Sequence, residues 1–156
     1  MKAVEVAKYI LNLINEDYGE TISNLKLQKI LYYIQGYFLA YFDKPLFEDK
    51  IVAWAYGPVV PSVYNEYKKY GNNSLPVHEI TQEEYHMFIN NLSKNELGLI
   101  QQVFETYIDY SAYNLVNMTH SETPWNSALI DGKATGNEID NDIIKFFFKS
   151  KISKND

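Results

Sequence analysis

The residues best suited to chemistry lie in one short run, Thr119-His120-Ser121-Glu122-Thr123-Pro124-Trp125. It offers a base, hydroxyls and a carboxylate within a few positions, the ingredients of general acid–base or nucleophilic catalysis. Triad geometry, however, normally needs groups that converge from separate elements. The same run also reads as architecture: Thr119 and His120 close one helix, Thr123 caps the next and Trp125 packs into the core. An enzyme built on His120 and Glu122 is therefore the rival to a structural role. The remaining histidines, His78 and His86, form no HExxH pair, and no spacing sets two imidazoles on one helical face, so no metal is expected. GxGxxG, GxxxxGK[ST] and GxSxG are all missing, which removes the familiar phosphate-cradling loops and the nucleophile elbow; no cofactor is expected.

Composition narrows the field further. There is no Cys, which excludes disulfides, thiolate metal sites and cysteine nucleophiles and fits a reducing compartment. All 14 basic residues are Lys, against 20 acidic ones, for a net charge of −6. Without guanidinium forks, two-pronged readout of phosphates and base edges is lost, so nucleic acid is disfavoured as a partner. The abundance of Asn, Lys, Ile and Tyr also fits an AT-rich coding sequence. At 156 residues, 46 % apolar and 22 % charged, the chain suits one folded domain. Glu5 and Lys8 interrupt the N-terminal apolar run and no small-residue cleavage site follows, so it is no signal peptide. No stretch approaches the roughly 18 apolar residues of a membrane span. The expected location is the cytoplasm, with no membrane partner.

Rings are the compositional excess: 14 Tyr, eight Phe and two Trp. That exceeds the needs of a core of this size and predicts some at the surface, where Tyr and Trp supply large contact area with few rotatable bonds. Tyr33 and Tyr37 fall about 40° apart on a helix, away from the Leu27–Ile34 face. With Tyr64 and Tyr67 they are the candidate partner-binding residues.

The elements that must position these groups are mostly helical. Ala3, Val6, Ile10 and Leu13 predict a first helix over 3–16, stopped by Asp17–Gly19. Ser23 caps a second helix to about residue 40, with Ile22 and Leu27 as a hydrophobic staple. Apolar or aromatic residues occupy most of its circumference, so it belongs at the centre. Residues 50–56 predict a short strand ending at Gly57–Pro58, and Pro61 starts a third helix that stops at Gly71. Capping boxes at Thr81/Glu84 and Ser93/Glu96 open helices over 82–91 and 94–109, the latter with Leu97, Ile100, Phe104, Tyr107 and Ile108 inward. Ser111 caps a helix to about 118, Thr123 caps one beginning with Pro124, and residues 131–136 form a turn or short hairpin. Asp140 caps a last helix to about 149. The expected fold is mainly α, a compact single-domain bundle of six to eight helices with a small β element near 50–57. Residues 1–150 form the domain and 151–156 a frayed tail.

The run Asn24-Leu-Lys-Leu-Gln-Lys-Ile-Leu-Tyr-Tyr-Ile-Gln-Gly36, then Lys44-Pro-Leu-Phe47, then Ala53-Trp-Ala-Tyr-Gly-Pro-Val-Val-Pro-Ser-Val-Tyr64, closing on Tyr70–Gly71, resembles the signature of the Panacea domain, the SocA-like antitoxins or GepA-type phage-associated proteins. Thr119-His120 and Pro124-Trp125-x-x-Ala128 are similar to the family's later element, and 139–147 to its closing helix. The matching residues are Lys26, Leu27, Gln28, Lys29, Tyr32, Gln35, Gly36, Pro45, Leu46, Phe47, Trp54, Tyr56, Gly57, Pro58, Pro61, Thr119, His120, Pro124 and Trp125. A structural role is expected for them, with the polar atoms of Gln28, Gln35, Trp54 and Tyr56 holding the β segment against the second helix. One departure is Tyr37-Phe38, where the family often has Trp-His, so no role of that histidine carries over. The resemblance implies a helical, non-enzymatic antitoxin of a bacterial or prophage system that neutralises a cognate toxin by direct contact. For SocA-like members it implies instead an adaptor delivering the toxin to an ATP-dependent protease. The chain opens directly on the core domain, so autoregulation through an added DNA-binding domain is not expected.

Overall fold

The structure, a computed structural model, describes residues 1–17, 21–77 and 79–154, with the backbone alone for 15–17. Beyond Asp17, the stop expected at Asp17–Gly19 lies outside the described residues, as does His78.

Among the described residues the chain forms eight α-helices and one two-stranded antiparallel sheet. Helix α1 (Ala3–Asp17) packs on α2 (Asn24–Phe42). The start of α2 is fixed as its sequence predicts: Ser23 accepts from the Lys26 amide, and Ile22 and Leu27 are both buried. Fourteen of its 19 residues are buried, which makes it the axis of the domain. Helices α5 (Lys94–Tyr107), α6 (Ala112–His120) and α8 (Asn141–Lys154) surround it. Helix α3 (Pro61–Tyr67) continues into one 3₁₀ turn and ends at Gly71, whose φ of 56° favours glycine. Helix α4 (Gln82–Asn90) lies on α1. Both capping boxes form, Thr81 with Glu84 and Ser93 with Glu96. No helix among the described residues is long and apolar enough to cross a membrane.

Four local features differ from the sequence reading. The single strand is a hairpin, β1 (Val52–Trp54) and β2 (Gly57–Val59), turning at Ala55–Tyr56. Gly57–Pro58 does not end the β element; it begins β2, because Gly57 adopts a φ of 109° closed to side-chain-bearing residues. Residues 136–139 bond the other edge of β1 through Gly136 N to Ala53 O, Ala53 N to Asn137 O and Ile139 N to Ile51 O. The inner face of α5 takes in Val103, while Leu97 and Ile108 are only half-buried. The short helix α7 (Thr123–Ser127) is capped at Glu122, so Thr123 is its first residue and not its cap. Helix α8 runs past the expected end at 149 to Lys154.

Candidate functional site

The motif residues converge where α2 meets the hairpin, α6 and α7. Two polar side chains of α2 occupy the edge of β2 that β1 leaves open. Lys29 donates to the Pro58 carbonyl at 3.0 Å, and Gln28 accepts from the Val60 amide at 2.9 Å while donating to Asn24 Oδ1. A free strand edge is thereby satisfied inside the protein. About two turns further on, Gln35 accepts from the Leu46 and Phe47 amides and donates to the Phe47 carbonyl, which pins the Pro45–Phe47 loop. Gln28 and Gln35 thus tie the segments after β2 and after α2 to the central helix. Lys29 is fully buried, and desolvation lowers its pKa to about 7. Thr119, also buried, lies against Gly57: a Cβ on that glycine would fall 2.6 Å from Thr119 Oγ1 and 2.7 Å from Lys29 Cε.

The Thr119–Trp125 run divides between two faces. His120 stacks on Trp125 with ring centroids 4.1 Å apart, and its Nε2 is 3.0 Å from the Ala55 carbonyl. Trp125 is half-buried and donates from Nε1 to the Trp54 carbonyl at 2.8 Å, clamping the hairpin turn. Glu122 turns the opposite way. Its two carboxylate oxygens accept from Tyr32 Oη at 3.0 Å and Tyr33 Oη at 2.8 Å. This is why it caps α7 through its backbone alone. Burial raises its pKa, opposed by the hydrogen bond from Tyr33 and by the charge of Lys151. His120 and Glu122 therefore serve separate structural partners.

Two of the four candidate partner-binding tyrosines are corrected. Tyr33 is fully buried, since its hydroxyl is needed by Glu122 and its ring stacks on Tyr107 at 4.0 Å. Tyr67, the last residue of α3, is also buried; its hydroxyl has no hydrogen-bond partner among the described residues, and desolvation raises its pKa. Helical angle alone missed Tyr33, because Phe148 of α8 covers it, and Tyr67, because α3 packs against α1 and α2. Tyr37 is half-buried, its hydroxyl 3.2 Å from that of Tyr107. Tyr64 is half-buried and packs edge-on against Trp54 at 4.8 Å. A further correction concerns Tyr56, which was expected to anchor the β segment. It stands at the hairpin turn, 68 % exposed. Together Trp54, Tyr56, Val59, Tyr64 and Leu25 line a groove of about 480 Å³, with Lys68 and Asn72 at its margin.

The arrangement is a hydrogen-bonded scaffold that presents rings at one rim. Residues 27–126 match the family described as antitoxin SocA-like, Panacea domain, and the chain belongs to that family. Among curated proteins, the chain is similar to Antitoxin SocA of Caulobacter vibrioides, 32 % identical over 142 residues that cover 85 % of this chain and 75 % of that one. No solved structure gives a significant match. Glu122 is the residue that sequence reasoning under-read: it was weighed for catalysis, and the run of two tyrosines at 32–33 was the available sign of a buried acceptor.

Proposed function

We propose that the protein is a cytoplasmic antitoxin that neutralises a cognate toxin by direct protein–protein contact, through the ring-lined groove beside the hairpin turn. The observation that carries the reading is the 32 % identity, over 85 % of the chain, to a protein named Antitoxin SocA. The geometry supports it in two ways. The motif's hydrogen-bonding groups are occupied in holding the hairpin to α2, which leaves them no evident chemistry. Its rings at Trp54, Tyr56 and Tyr64 are partly or largely open to solvent, in the aromatic composition typical of binding hot spots. The net charge of −6 favours encounter with a basic partner, at a rate that added salt lowers.

Expressing the neighbouring open reading frame alone and with this chain tests the reading. Growth arrest alone and recovery on co-expression is the expected result; arrest in both cases contradicts it. Following the partner's level separates sequestration from delivery to an ATP-dependent protease: a steady level supports binding, and a protease-dependent disappearance supports delivery. The enzymatic rival is tested by His120→Ala, which on the present reading keeps the rescue.

A further inference from the structure

Beside the end of Glu122 that Tyr33 holds, four rings and its carboxylate surround an ammonium group. Lys151 Nζ lies 5.7 Å from the ring centroid of Tyr33, 5.9 Å from Tyr37, and 5.6 Å from both Phe147 and Phe148. Glu122 Oε2 is 3.9 Å away. All four rings fall within the roughly 6 Å over which a cation is drawn to a ring face. Most of this enclosure is fixed without the lysine. Tyr33 is held by its stack on Tyr107 and its bond to Glu122. Tyr37 is tied to Tyr107 through their hydroxyls. Phe148 sits against the bare Cα of Gly36, where a Cβ would clash with its ring. Glu122 cannot swing away, because two tyrosine hydroxyls hold its oxygens.

Lys151 itself is held more loosely. Its side chain is 30 % exposed, and the 3.9 Å to Glu122 exceeds hydrogen-bond length. A rotation about its own flexible stem would vacate the enclosure while the rings stay in place. We infer that the space between Tyr33, Tyr37, Phe147, Phe148 and Glu122 is a binding site for an alkylammonium group, filled in the free chain by Lys151 and open to competition from a lysine side chain of a bound protein. Only the identity of that external lysine, as a residue of the toxin, rests on the function proposed above; the site itself does not.

The test titrates n-butylammonium chloride, a lysine side-chain mimic, into the wild-type chain and into Lys151→Gln. Sodium chloride at equal ionic strength is the control, and the Tyr37 and Phe147 ring resonances are followed by NMR. The expected result is saturable binding by Lys151→Gln, at least tenfold tighter than by the wild type and weakened again by adding Tyr37→Ala. A response equal to that of sodium chloride, or equal in both proteins, overturns the inference. Should Lys151→Gln fail to fold, the wild type decides: the Lys151 side-chain protons next to Nζ must resonate upfield of those of exposed lysines, and a position among them refutes the site. Loss of toxin rescue with intact amine binding would overturn the functional reading and leave this one standing.

Discussion

The tyrosines of α2 and the rings of the hairpin face draw on the same residue types for opposite ends. Tyr32 and Tyr33 are sealed, each hydroxyl donating to Glu122, with their rings against Phe148. Trp54, Tyr56 and Tyr64 stand partly or largely open around a groove. The difference is one of supply. A buried hydroxyl needs a partner, and Glu122, Tyr107 and α8 provide partners and cover for the first set. At the hairpin turn, Trp125 and His120 spend their polar atoms on the backbone of Trp54 and Ala55, and the rings beside them remain uncovered. Ring content therefore signals stability at one end of the motif and, on the function proposed above, contact at the other.

Breaking the sealed side has the largest expected effect. Phe148→Ala removes the ring that fills the space over Gly36 and costs about 3–5 kcal/mol in urea unfolding. Gly36→Ala overpacks the same contact, and about 1–3 kcal/mol is expected. The buried amine comes next. In the folded state Lys29 gives up its proton near pH 7, whereas an unfolded lysine keeps it to about 10.4. Between those values the unfolded chain binds more protons, so stability rises with pH across that window, by a few kcal/mol at most on the order of the shift. Lys29→Met removes this rise, as urea titrations at pH 7 and 9.5 can measure.

Glu122 has the opposite sign. Its pKa is raised on folding, so the folded chain holds the proton longer and stability declines as pH climbs above the ordinary carboxylate range. Glu122→Gln flattens that decline, read as a smaller change in midpoint between pH 4.5 and 7. On the open side, Tyr56→Ala leaves stability within about 0.5 kcal/mol of wild type by thermal melting. A large loss there would erase the contrast between the two sets of rings.

Much of the fold was legible because local signals agreed with one another. Ser23, the boxes at Thr81/Glu84 and Ser93/Glu96, Ser111 and Pro61 each mark a helix start that the structure keeps. The hairpin was half legible: β-branched residues announced β1, but three-residue β2 contains Gly57 and Pro58, which read as punctuation. The site was less so. Periodicity says which way a helical residue points and not what lies there, so Tyr33 read as outward until α8 was placed over it. Thr123 read as a cap because its chemistry suits one, yet the chain turns one residue earlier to carry the Glu122 carboxylate inward. The burial of Lys29 depends on a carbonyl 29 positions away, which no local pattern displays.

The central claim is that the exposed hairpin rings bind the toxin while a sealed ring such as Tyr32 holds the fold. Calorimetric titration of the purified neighbouring-gene product into the wild type, Tyr56→Ala and Tyr32→Phe tests it most directly. The account predicts that Tyr56→Ala weakens binding at least tenfold with an unchanged melting midpoint, whereas Tyr32→Phe lowers the midpoint and leaves Kd as it was. Wild-type affinity in Tyr56→Ala, or no binding by the wild-type chain, would contradict it.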